Sequence, residues 1–116
     1  MYPDASFVAL QMAVVMKRSK KKRARLSDKT FRLISQRGTL RDKFISDVRG
    51  SLEDLGVLMV RLERGGFAMI LISALEGAPA VTAKNYLPER RDLATGKRKG
   101  NELWQELQLP PPDEED

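Results

Sequence analysis

In the stretch Ser46-Asp47-Val48-Arg49-Gly50-Ser51 an arginine stands between two small hydroxyl side chains. A guanidinium is a planar fork that can donate two hydrogen bonds to a guanine edge, and serine serves either base edge, so Ser46, Arg49 and Ser51 are candidate contacts to DNA bases. Around them lie Arg37, Arg41 and Lys43 on one side and Arg61 and Arg64 on the other. These suit phosphate oxygens, where charge and a nearby helix N-terminus both favour an anion. A denser run, Lys17, Arg18, Lys20, Lys21, Lys22, Arg23 and Arg25, reads as a flexible basic arm that follows phosphates or enters a minor groove.

Other chemistry is poorly supplied. The 116 residues include no cysteine and no histidine, which removes thiolate metal sites, disulfides and the commonest general base. "ATGKRKG" at 94–100 lacks the first glycine and the hydroxyl residue of a phosphate-binding loop. Glu53 and Asp54 are adjacent on a helix and diverge, so they form no nuclease carboxylate cluster. The expectation is a protein that is not an enzyme and takes no cofactor and no metal. With 21 Lys and Arg against 16 Asp and Glu, the net charge of +5 favours a polyanionic partner. Four Phe, two Tyr and one Trp are few for stacking single-stranded bases, so duplex DNA is preferred.

The elements that must position these residues follow from periodicity and caps. Ser27 or Asp28 can cap a helix carrying Phe31, Leu33 and Ile34, which Gly38 would stop. Thr39 can cap the next, with Leu40, Phe44 and Ile45 inward, and the stripe Ile45, Val48, Leu52, Leu55 continues to an αL stop at Gly56. Periodicity leaves open whether 39–55 is one helix or two with a break at Ile45 and Ser46. Gly50 costs a helix about 1 kcal/mol relative to alanine and is expected to permit a close approach. Strands at 57–63 and 67–74 are joined by Arg64-Gly65-Gly66, a link suited to positive φ. The second strand is apolar on both faces, so both require cover, from the helices on one side and from the segment 7–16 or a second copy on the other.

That segment, FVALQMAVVM, is half the ~20 residues needed to span a bilayer, and no membrane role is expected. Met16 would serve as an alternative start. Beyond the hairpin, "AVTAKNYL" holds a short strand or helical turn, and a short helix carries Leu103, Trp104 and Leu107. The last seven residues, three prolines and four acids ending in Asp113, Glu114, Glu115 and Asp116, read as a disordered acidic tail.

The stretch "SDVRGSLEDLGVLMVRLERGGFAMI" resembles the recognition helix and wing of winged helix-turn-helix transcriptional regulators, over about residues 27–74. The resemblance implies that Ser46, Arg49 and Ser51 face bases and that Arg64 lies at the wing tip. It also implies a short strand between the first two helices, for which the single Gly38 leaves no room. The expected fold is therefore α+β: three helices and a β-hairpin wing at 27–88, preceded by an apolar segment and basic arm at 1–26 and followed by a basic loop, short helix and acidic tail at 89–116. The expected function is a sequence-specific, dimeric repressor of bacterial, phage or plasmid type, cytoplasmic and nucleoid-associated, with double-stranded DNA as its partner. Competing readings are a protein-interaction adaptor within a larger assembly and a structured-RNA binder.

Overall fold

The computed structural model describes residues 3–112 and divides into two compact units, Met1–Ala78 and Pro79–Asp116. The acidic closure from Asp113 to Asp116 lies outside the described residues. The first unit is a small α+β domain running α1 (Ala5–Ser19), β1 (Arg23–Leu26), α2 (Asp28–Ser35), α3 (Asp42–Asp54), β2 (Val57–Arg61), β3 (Phe67–Leu71) and α4 (Ile72–Glu76). Its three strands form one antiparallel sheet in the order β1-β3-β2.

Within the segment expected at 1–26, the described residues 3–26 are not an appendage to this unit. The run Phe7–Met16 is helical, and Val8, Met12 and Met16, four apart along one side, are buried together with Ala9. Asp4 caps the helix by accepting the Phe7 N–H at 2.9 Å. That bond, with a second from the Ser6 hydroxyl, holds the Asp4 carboxyl below its ordinary pKa. Because the folded value is the depressed one, the cap acts at neutral pH and is lost as the pH falls through that lowered value. Lys20 takes the αL conformation (φ 59) and turns the chain out of α1.

The supposed arm then becomes β1, whose residues pair with β3 from Arg23 opposite Ile70 to Leu26 opposite Phe67. This strand precedes α2, and residues 36–41 between α2 and α3 hold none. The alternation Arg23, Ala24, Arg25, Leu26 is the period-2 pattern of a strand with one buried face.

Ser27 caps α2 through the Thr30 N–H at 3.1 Å, and α2 ends at Ser35 with Gln36 in αL, two residues before Gly38. The stretch 39–55 contains one helix, α3, starting at Asp42 without a side-chain cap. Thr39 does not cap it and Ser46 rides inside it, so the break considered at Ile45 and Ser46 does not occur. The reason is the unbroken stripe Ile45, Val48, Leu52, all buried, which a break would split. The core closes where Phe31 stacks on Phe67 at 4.7 Å and meets Phe44 edge-on at 6.3 Å.

The strands are shorter than 57–63 and 67–74. The Leu62 N–H donates to the Gly66 carbonyl and the Gly65 N–H to the Leu62 carbonyl, closing the hairpin turn. At the far end the Ile72 N–H reaches the Gly56 carbonyl, and the chain enters α4. The β3 side chains Phe67 and Met69 are buried, whereas Ala68 and Ile70, on the other face, are half-buried beside exposed Val60.

Gly66 is required where it stands. Its φ is 82, and a Cβ there would lie 2.8 Å from the Leu26 carbonyl oxygen, pressing the hairpin turn off β1. Gly56 has a similar φ of 81 but open space around it. Gly66→Ala is expected to cost about 1–3 kcal/mol from backbone strain alone, with the clash in addition. Gly56→Ala should pay only the first part, and denaturant unfolding of the two variants side by side checks the difference.

The second unit carries α5 (Ala83–Tyr86), capped by Thr82, then α6 (Arg90–Thr95) and α7 (Asn101–Leu107). Residues 81–88 hold a helical turn, and the short helix with Leu103, Trp104 and Leu107 is α7. Arg98 and Glu102 form an exposed ion pair at 3.8 Å. A boundary at Ala78 differs from the expected domain of 27–88, because α1 and β1 join the first unit and 79–88 the second.

Candidate nucleic-acid interface

The three base-reading candidates do not share a face. Ser46 points outward and is exposed, Ser51 lies about 140° further round the helix axis and is half-buried, lining a depression with Phe7, Leu10 and Leu55. Arg49 is half-buried, and its Nε donates to the Met59 carbonyl at 3.1 Å, tying α3 to β2. Gly50, expected to permit a close approach, has nothing within 4 Å of where a Cβ would sit.

The exposed side of α3 carries Asp42, Lys43, Ser46, Asp47, Glu53 and Asp54. Four carboxylates against one lysine would repel phosphates, and Lys43 is itself paired with Asp47 at 3.3 Å.

The backbone-contact candidates divide in the same way. Arg37 stacks its guanidinium 3.9 Å from the Phe44 ring centroid and donates from Nη2 to the Pro3 carbonyl at 3.1 Å, so it fastens α1's approach to the α2–α3 connection. Arg61 pairs with Asp42 at 3.3 Å and lies over the Phe67 ring, 5.9 Å from its centroid. Arg41, at the start of α3, and Arg64, at the hairpin turn, are exposed.

The basic run presents a different picture. Lys17 and Arg18 end α1, Lys20 to Lys22 make the turn, and Arg23 and Arg25 project from β1. All seven are exposed, and none makes an ion pair among the described residues. The Ser19 hydroxyl receives the Lys21 N–H at 3.2 Å, and the Lys22 carbonyl receives the Leu71 N–H at 2.9 Å, so the turn is held at both ends. Next to it, Arg25, Lys29 and Arg64 line a shallow cleft between the start of α2 and the hairpin turn. Asp28 closes its floor by accepting the Gly66 N–H at 3.1 Å.

No family model, curated protein or solved structure matches this chain. The assignment of a site therefore rests on geometry and charge. Lys29 belongs to the cationic surface and was not among the residues singled out by sequence. Spacing could not have found it, because it reaches that surface only through the turn that brings 64–66 against 25–29. Among the described residues no cluster of His, Cys, Asp or Glu could hold a metal ion, and no helix is long and apolar enough to cross a membrane.

Arg49→Ala is expected to leave polyanion affinity within twofold while lowering stability by about 1–2 kcal/mol, since it removes a charged donor from a half-buried carbonyl. Parallel binding and thermal-unfolding curves check this.

Proposed function

We propose that the chain binds double-stranded nucleic acid, DNA first, as a winged-helix-type module whose contact surface is the ordered basic run and hairpin turn and not α3. The observation that carries this reading is the exposed, unneutralised set from Lys17 to Arg25 on α1, β1 and the turn between them. Cations held on an ordered backbone lose less freedom on meeting phosphates than cations on a loose arm, so more of their attraction appears as affinity. The winged-helix part is supported by the order helix, strand, helix, helix, hairpin and by the pairing of β1 with β3. Duplex is favoured over single strands because the basic run 17–25 and the hairpin turn 62–66 carry no aromatic residue, and Phe67 beside that turn is buried against Phe31.

Contacts of this kind go to phosphates. Binding should tolerate sequence and fall steeply with salt. Fluorescence anisotropy with a random 20-base-pair DNA duplex, the matching RNA duplex, a single strand and polyglutamate tests the reading. Equal affinity for polyglutamate and duplex at the same charge would sink it, and a preference for A-form RNA would transfer it to structured RNA.

A sequence-specific dimeric repressor is the sharper form of the proposal. Selection from a randomised library tests it: a palindromic consensus supports it, and an unenriched pool removes sequence specificity while leaving backbone binding in place.

A further inference from the structure

Helix α1 has a second apolar side. Val8, Ala9, Met12 and Met16 face the core, yet Phe7 is 54% and Leu10 49% exposed, and Leu55 at the end of α3 is 45% exposed beside them. Two adjoining depressions share Leu55: one is lined by Asp4, Phe7, Leu10 and Asp54, the other by Val14, Lys17 and Leu71. Together they make one apolar strip along α1, about 20 Å long at 1.5 Å per residue, with a carboxylate at its start and an ammonium at its end. Phe7, Leu10, Val14 and Lys17, spaced three, four and three, lie on one side of the helix.

We infer that this strip is the contact between two copies of the chain, with the two α1 helices antiparallel about a two-fold axis near Leu10 and Gln11. Antiparallel pairing places Phe7 opposite Val14 and Asp4 opposite Lys17 of the second copy, and symmetry repeats both contacts. The opposite signs at the two ends select this occupant and this direction. A parallel arrangement would set Asp4 against Asp4 and Lys17 against Lys17. Of the exposed acids of α3, Asp54 borders the strip beside Phe7 and Leu10, at the same end as Asp4, whereas Asp42, Asp47 and Glu53 line neither depression. This pairing does not depend on nucleic-acid binding and is tested without it.

Sedimentation equilibrium of the full chain across about 1–100 μM, the range in which weak to moderate pairing is read, should give twice the chain mass. Leu10→Glu should raise the dissociation constant by about 100-fold, because each dimer loses two buried leucines. Asp4→Asn keeps an N-cap of equal quality while deleting the charge, and should weaken pairing by a few-fold and flatten its salt dependence. Because the sequence has no cysteine, single cysteines report geometry directly. An equal mixture of Phe7→Cys and Val14→Cys chains should cross-link under mild oxidation faster than either alone and faster than Glu53→Cys. A monomer over the whole range, a dimer indifferent to Leu10→Glu, or a mixture that cross-links no faster than the Glu53→Cys control each overturns the inference. Cross-linking decides the matter even if Leu10→Glu perturbs the fold.

Discussion

Replacing Lys21, Arg23 and Arg25 together by alanine should lower affinity for random-sequence duplex by at least about 100-fold near 0.1 M salt and reduce the salt slope by about 2–3. Each phosphate contact contributes about 0.9 to the slope of log K against log salt, which at ~0.1 M corresponds to nearly a power of ten per contact. Three contacts give somewhat under three powers of ten. The fold should survive, because all three side chains are exposed and β1 is held to β3 through its backbone. The useful contrast is with Arg49→Ala, expected to act on stability and not on affinity. An unchanged salt slope in the triple variant, with native circular dichroism, would remove β1 and the turn before it from the interface.

Beginning the chain at Met16 should abolish cooperative folding. That truncation deletes Asp4, which caps α1, and the buried Val8, Ala9 and Met12. Val8 and Met12 alone contribute on the order of 3–6 kcal/mol of burial, and the core that α1 shares with α3, Val48 and Leu52 included, would be opened to water. The total approaches the whole stability of an ordinary domain, about 5–15 kcal/mol. Denaturant unfolding followed by circular dichroism should show a sloping baseline without a transition. A sharp transition with a midpoint near that of the full chain would mean that α1 is dispensable and that the basic run is an arm after all. If the transition is lost, deletion of the N-terminal segment says nothing about nucleic-acid contacts, because it removes the domain along with its charges. Point substitution is then the only informative route.

Local signals were readable from the residues alone. Ser27 caps α2, Gly56 stops the chain in the αL region after α3, and Gly65-Gly66 turns a hairpin, because each outcome depends on a few neighbouring backbone atoms. The stripe Val48, Leu52 and the β3 residues Phe67 and Met69 are core for an equally local reason, since spacing alone puts them on one face.

Three matters were decided only by tertiary structure. The continuity of α3 depended on what packs along Ile45, Val48 and Leu52, since Ser46 is compatible with a cap or with a helix interior. The order in the basic run depended on partners more than forty residues away, where Ile70 and Ala68 stand opposite Arg23 and Arg25. The directions of the arginines were set last. A long cation can reach water or a carbonyl with similar ease, and the Met59 and Pro3 carbonyls that capture Arg49 and Arg37 are brought there by the fold and by no feature of the surrounding sequence.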